Sequence, residues 1–227
     1  MAVHGSMDRA ASFGRLARRL DDMTVVTYDR RGYAESCGLA PATTLDASAQ
    51  DLAAVVGDEP SVVLGHSFGG LIAIRMAALC PGRVRALVCY EPPTPWQPWW
   101  PARPLPAEPA SLAAETFLRR MIGDAAWERL PEPTQDQRRS EGPAVLADMA
   151  NAGSARDPSP PPAALPIVIA YGERGQSHFR RGATALAAAL PGAELSELAG
   201  AGHGAHLSHP DGLAGLVRHA VALGSAR

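Results

Sequence analysis

Gly65-His66-Ser67-Phe68-Gly69 is the stretch with the clearest chemistry in the chain. It fits G-x-S-x-G. It also lies between SVVL, an apolar strand pattern, and LIAIRMAAL, a helical one. A strand that turns abruptly into a helix forces its corner residue into a strained backbone. The flanking glycines remove side chains that would collide there, and the serine hydroxyl is pushed out above the sheet as a nucleophile. The helix that follows points its N-terminus at the site, where developing negative charge is stabilised.

Such a serine needs a base, and in this architecture the acid and then the histidine follow it in the chain. The downstream histidines are His178, His203, His206, His209 and His219. His203 lies in LAGAGHGAH, a glycine-rich loop directly after the AELSEL strand pattern. That places it at the C-terminal edge of the sheet, where sites of such folds form. His178 and His219 fall inside or beside helical patterns and read as surface residues. His203, His206 and His209 are three apart, as metal ligands can be, but no carboxylate or cysteine completes them before Asp211. No metal and no organic cofactor is expected.

The elements that must position these groups alternate. MTVVTY (23–28), SVVLG (61–65), VRALVCY (84–90) and PIVIAY (166–171) read as buried strands, and AELSEL (193–198) as a more exposed one. Helical periods lie between them, over 8–20, 43–57, 71–80, 178–190 and 211–223. Thr43 and Asp46 form a Thr-x-x-Asp capping box at the start of the second, with Leu45, Leu52, Val55 and Val56 facing inward. Strands that alternate with helices predict an α/β fold, a mostly parallel sheet with helices on both faces. Residues 92–165 break the rhythm. They are rich in proline, offer no strand, and carry the helical stretches SLAAETFLRRMI and EGPAVLADMAN. The core is therefore expected over 1–91 and 166–227, with 92–165 inserted over the sheet. The flank RDPSPPPAALP (156–166) reads as a stiff, extended connector.

Composition narrows the classes. The 227 residues suit one domain, 46% are hydrophobic, and the net charge is −2 with no block of like charge, which argues against a nucleic-acid partner. There is no lysine, which excludes P-loop and Schiff-base chemistry. Cys37, Cys80 and Cys89 have no CxxC spacing and form no disulfide or zinc framework. Neither a signal-peptide pattern nor an apolar run of membrane-spanning length is visible, so the expectation is a cytoplasmic protein acting on a small molecule away from the membrane.

With these motifs in hand, the chain resembles an α/β-hydrolase. HGSMDRAASF (4–13) is similar to the family's oxyanion loop, and YDRRGYAES (28–36) to its D-x-R-G-x-G-x-S turn, with Tyr33-Ala34 where glycine often falls. GHSFGG is similar to the nucleophile elbow and GAGHGAHLSHP to the segment carrying the base. These run in the family's order from residue 4 to residue 210. The resemblance implies oxyanion donors at the backbone N–H groups of Phe68 and Ser6. The family's usual acid position follows PIVIAY in a G-x-x-D pattern, but here YGERGQSHF has Gly175 where Asp would fall. Some α/β-hydrolases place the acid after the strand that follows the nucleophile helix. Glu91 stands there, stiffened by Pro92 and Pro93, and the resemblance implies that it orients His203. Glu173 is the alternative.

The family has two strands before the one ending in His-Gly, whereas only Met1-Ala2-Val3 precede His4. The resemblance would leave MTVVTY as an exposed edge, so the expectation is an N-terminally abbreviated fold, an earlier true start, or a second copy covering the edge. The insertion implies a short cap, with Trp96, Trp99 and Trp100 as an apolar lid on the substrate pocket. Together these imply a serine hydrolase that cleaves an ester, thioester or lactone of a small to medium apolar substrate through an acyl-enzyme on Ser67. A ligand-binding protein on the same fold is the alternative.

Overall fold

The computed structural model describes residues 1–154, 161–162 and 164–225. The apolar runs form a five-stranded sheet in the order β1 (Ala2–Val3), β2 (Ser61–His66), β3 (Val84–Tyr90), β4 (Ile167–Gly172) and β5 (Ala193–Leu198). Every pairing is parallel, so all C-terminal ends lie on one edge. β3 and β4 are almost entirely buried and read as continuous Val, Ile, Leu and Ala runs. β5 alternates and stays half exposed, as an outer strand does.

Helices cover both faces. On one side α2 (Leu45–Val56), α3 (Phe68–Leu79) and α8 (Ser177–Ala189) pack on the sheet through Leu52, Leu71, Ile72, Ile74, Met76 and Leu186. On the other, α1 (Gly14–Ala17) and α10 (Pro210–Ser225) contribute Leu16, Leu213, Leu216 and Val217 against Leu64, Val88 and Val168. α3 is apolar nearly all round because the sheet, α2 and the inserted helices enclose it.

The segment 23–28 departs from its expected form. It makes no regular strand, only a single parallel bridge from Thr27 to Ala2, supported by the Ala2 N–H donating to the Val26 carbonyl at 2.9 Å. β1 offers only two residues of ladder, so longer pairing has no template, and Val26 stays 42% exposed at the sheet edge. The helix expected over 8–20 is a 3₁₀ turn, Ala10–Phe13, running into the one-turn α1. α2 begins one residue later than its capping box implied. Thr44, not Thr43, accepts the Ala47 N–H at 3.0 Å, while Asp46 is taken up by Arg75. Val55 faces out, because Ser48, Ala49, Leu52 and Ala53 form the buried stripe.

Between β3 and β4 lie α4 (Ala110–Ile122), α5 (Asp124–Glu128), α6 (Glu132–Ser140) and α7 (Gly142–Ser154). They share a small core of their own, with Trp127 and Leu118 packed among Ala113, Ala144, Val145, Met7 and Tyr33. A buried ion pair ties this segment to the sheet. Arg30, from the turn after segment 23–28, forks onto Asp148 of α7 at 2.7 and 3.0 Å, with both side chains about 7% exposed or less. Asp148 Oδ2 also accepts from Ser6 Oγ (2.8 Å) and Tyr33 Oη (2.7 Å). The stretch read as a stiff connector lies mostly outside the described residues.

Candidate active site

Ser67 sits at the junction of β2 and α3 with φ 53° and ψ −126°, a strained left-handed corner for a residue with a Cβ. Its N–H donates to the Tyr90 carbonyl at 2.8 Å, which locks the corner to β3. Gly65 makes the turn possible. A Cβ there would lie 2.4 Å from the Gly69 carbonyl oxygen in the first turn of α3. Gly5 is pressed as closely from the other side, where a Cβ would lie 2.7 Å from Ser67 Cβ. The loop 4–8 therefore lies directly against Ser67. His4 holds that loop without facing the cavity. Its Nε2 accepts the Arg30 N–H at 3.0 Å, so Nδ1 carries the proton and donates to the Gly5 carbonyl at 2.7 Å. Burial pushes its pKa down to about 4, so it is neutral near pH 7.

His203 follows β5 and presents Nδ1 to Glu91 Oε2 at 2.6 Å. Glu91 is fully buried at the end of β3 and adopts φ 47°. That turn aims the carboxylate across the sheet edge instead of along the strand. Its second oxygen, Oε1, accepts the Gly172 N–H at 2.9 Å. An acceptor-only carboxylate at Nδ1 fixes the proton there and leaves the lone pair on Nε2. Burial lowers the pKa of His203, and the Glu91 hydrogen bond partly offsets this. Phe179 stacks on the imidazole with ring centroids 4.3 Å apart.

Glu173 does not reach His203. It is exposed, and its carboxylate accepts the Gly200 N–H at 2.7 Å. Gly175 shows why the usual acid position is vacant. A Cβ there would lie 2.3 Å from Glu91 Oε1, so the Glu91 carboxylate fills the space a side chain at 175 would need.

Ser67, His203, Phe68 and Ser6 line one cavity of about 370 Å³. Its walls are mostly apolar, with Leu105, Phe117, Met121, Met149 and Phe179, and Arg103 and Arg120 also line it. Arg120 donates to the backbone carbonyls of Arg103 and Pro104. Of the three expected lid tryptophans, only Trp100 lines the cavity. Trp96 packs against the main core, and Trp99 lies under the Arg181 guanidinium, 4.3 Å from it. Neither ring lines the cavity, and both are partly buried in packing of their own. Sequence reading missed Asp148, Met149 and Phe179 as part of this neighbourhood. Their only sequence signal was placement on apolar helix faces.

A sequence profile described as the alpha/beta hydrolase family matches residues 2–216. Lipase LipV of Mycobacterium tuberculosis (strain ATCC 25618 / H37Rv) is 39% identical over 95 residues, 40% of this chain and 36% of that protein. The chain thus matches only about a third of the length of this curated relative. Among solved structures, the type II thioesterase BorB from the borrelidin biosynthetic cluster superposes with a TM-score of 0.73 at 18% identity, over 97% of this chain and 91% of that one. An esterase from Thermogutta terrifontis superposes with 0.68 at 21% identity, over 98% and 89%. At these identities the two structures show the fold alone.

Proposed function

The chain belongs to the α/β-hydrolase family, and on that premise we propose that it is a serine hydrolase cleaving carboxylic esters or thioesters of small to medium apolar acyl groups. The observation that carries this reading is the buried Glu91 bonded to His203 Nδ1 at 2.6 Å, with His203 and the strained Ser67 lining the same cavity.

Ser67 Oγ attacks the carbonyl carbon while His203 Nε2 takes its proton. The carbonyl oxygen becomes an oxyanion held by the Phe68 and Ser6 N–H groups. The C–O or C–S bond then breaks, and His203 returns the proton to the leaving alcohol or thiol, giving an acyl ester on Ser67. Water repeats the sequence, with His203 as base, and releases the acid. Glu91 positions the imidazole and stabilises its cationic form throughout. The helices α4–α7, within 92–165, act as a cap over a core of 1–91 and 166–227, and Arg30–Asp148–Ser6 ties that cap to the oxyanion loop. Trp100 and the Leu105, Phe117, Met121 and Met149 side chains form the acyl wall. The apolar lining favours a hydrocarbon chain, and its volume sits at the small end of ligand pockets, about 300–1,000 Å³.

The test is a chain-length series of p-nitrophenyl esters beside matched acyl thioesters. Specificity is expected to peak at short to medium chains. Ser67→Ala is expected to lower kcat by about 10⁴-fold or more. Retention of activity in Ser67→Ala would rule out the acyl-enzyme.

A further inference from the structure

Three side chains that this reaction does not use converge beside it. Asp8 comes from the loop after β1, His66 ends β2, and His206 lies in the short helix α9 (Ala205–Ser208). Asp8 Oδ2 is 3.2 Å from His206 Nε2 and 3.7 Å from His66 Nδ1, and all three ligand atoms lie within 4.8 Å of one another. His66 and His206 are 5% and 3% exposed. Among the described residues, Asp8 Oδ2, His66 Nδ1 and both ring nitrogens of His206 make no well-aligned hydrogen bond, although His206 Nε2 approaches Asp8 Oδ2 to 3.2 Å. Buried polar atoms in that state are costly, and three of these, Asp8 Oδ2, His66 Nδ1 and His206 Nε2, converge as the donors of a ligand site would.

The tautomer of His66 sharpens this. Its Nε2 is 2.8 Å from the His203 carbonyl oxygen, so that nitrogen carries the proton and donates. Without a second proton on the ring, Nδ1 turns a lone pair toward a carboxylate, an arrangement that a metal cation between them would resolve. Zinc binds imidazole nitrogen and carboxylate oxygen at about 2.0–2.2 Å, which sets tetrahedral ligand atoms roughly 3.4 Å apart. The two separations from Asp8, 3.2 and 3.7 Å, bracket that figure, and the two histidine nitrogens lie within 4.8 Å of each other, so a bound ion would draw them closer. An N–H donated to a backbone carbonyl is also the outer contact that orients a ligating histidine. A proton on His206 Nε2 alone would serve Asp8 Oδ2 at 3.2 Å but leave the His66 Nδ1 lone pair facing the same oxygen.

We propose that Asp8, His66 and His206 bind a divalent transition-metal ion of the zinc class, with water in the fourth position. The expectation of no metal rested on spacing along the chain, and these ligands come from three separate segments. Because His66 precedes Ser67 and bonds the backbone of His203, a bound ion would stiffen both. The proposal does not depend on the hydrolase reading.

The test is titration of chelator-stripped protein with Co²⁺, read by the visible absorption of a four-coordinate ion. A saturable one-to-one band displaced by Zn²⁺ is expected. Asp8→Asn and His206→Gln are each expected to weaken binding by more than about a hundredfold, since losing even an outer-shell partner costs 10–100-fold. His219→Gln, at the surface pair with Glu194, is expected to change nothing. Should both ligand variants fail to fold, the Co²⁺-loaded wild type decides by proton NMR. Two exchangeable, paramagnetically shifted ring N–H signals are expected, one from His66 Nε2–H and one from His206 Nδ1–H. Absence of binding, binding that survives both substitutions, or a spectrum without two such signals would overturn the proposal.

Discussion

Gly175 and Glu91 share one small volume, and that sets the consequences of changing either. Gly175→Ala places a methyl group where Glu91 Oε1 now sits. The carboxylate must move off His203, and kcat is expected to fall with little change in KM, measured on a short-chain ester. His203 also predicts the pH profile. Its pKa is lowered by burial, with Glu91 opposing, from the ordinary 6.5. A protonated imidazole cannot accept the Ser67 proton. The acid limb of kcat/KM is therefore expected below pH 6.5, with activity lost as pH falls through it. A limb centred above 6.5 would assign it to another group. At this scale much was legible in the sequence. Ser67 and His203 lie in short motifs whose neighbours in the chain are also their neighbours in space. Glu91 was legible because an apolar strand ending on a carboxylate and two prolines is unusual. Trp96 and Trp99 lie outside the cavity lining, and the sequence could not separate them from Trp100, because a bulky ring in an insertion looks the same whether it faces a cavity or the core.

The inserted helices hang on a few buried polar contacts, and Asp148 makes four of them. It pairs with Arg30 through both oxygens and accepts from Ser6 and Tyr33. Asp148→Ala leaves the Arg30 guanidinium buried and unpaired, at a cost of about 3–5 kcal/mol by the usual penalty for breaking such a pair. It also releases Ser6, so urea denaturation is expected to show lower stability and the residual folded fraction a reduced kcat. Equal activity per folded molecule would separate the loop 4–8 from this network. None of this was legible in the sequence. Arg30 and Asp148 are 118 residues apart, and no local pattern marks an ion pair that closes over such a distance. The strands β3 and β5 were legible to the residue because apolar continuity and alternation are local properties. Segment 23–28 was not, since its β-forming composition could act only if β1 were long enough to pair with it.

For the molecule as a whole, buried neutral histidines make stability depend on pH. His4 titrates near 6.5 when unfolded and at about 4 when folded. Between those values the unfolded chain binds more protons, so folding stability declines as pH drops from 6.5 toward 4. His4 alone accounts for about 3 kcal/mol of that decline. The urea midpoint is expected to be clearly lower at pH 5 than at pH 7, and an unchanged midpoint would mean that His4 is not buried neutral. The larger claim is that the core, the helical insertion and the loop 4–8 are assembled to hold Ser67, His203 and Glu91 in one reacting unit. Intact-mass labelling by a fluorophosphonate tests it most directly, on wild type beside Glu91→Gln, with the modified peptide mapped. The account predicts rapid single labelling at Ser67 in the wild type. It predicts labelling slower by about 10³–10⁴-fold in Glu91→Gln, because an amide at Nδ1 favours the wrong imidazole tautomer. Equal rates in the two proteins, or a label on any other residue, would contradict it.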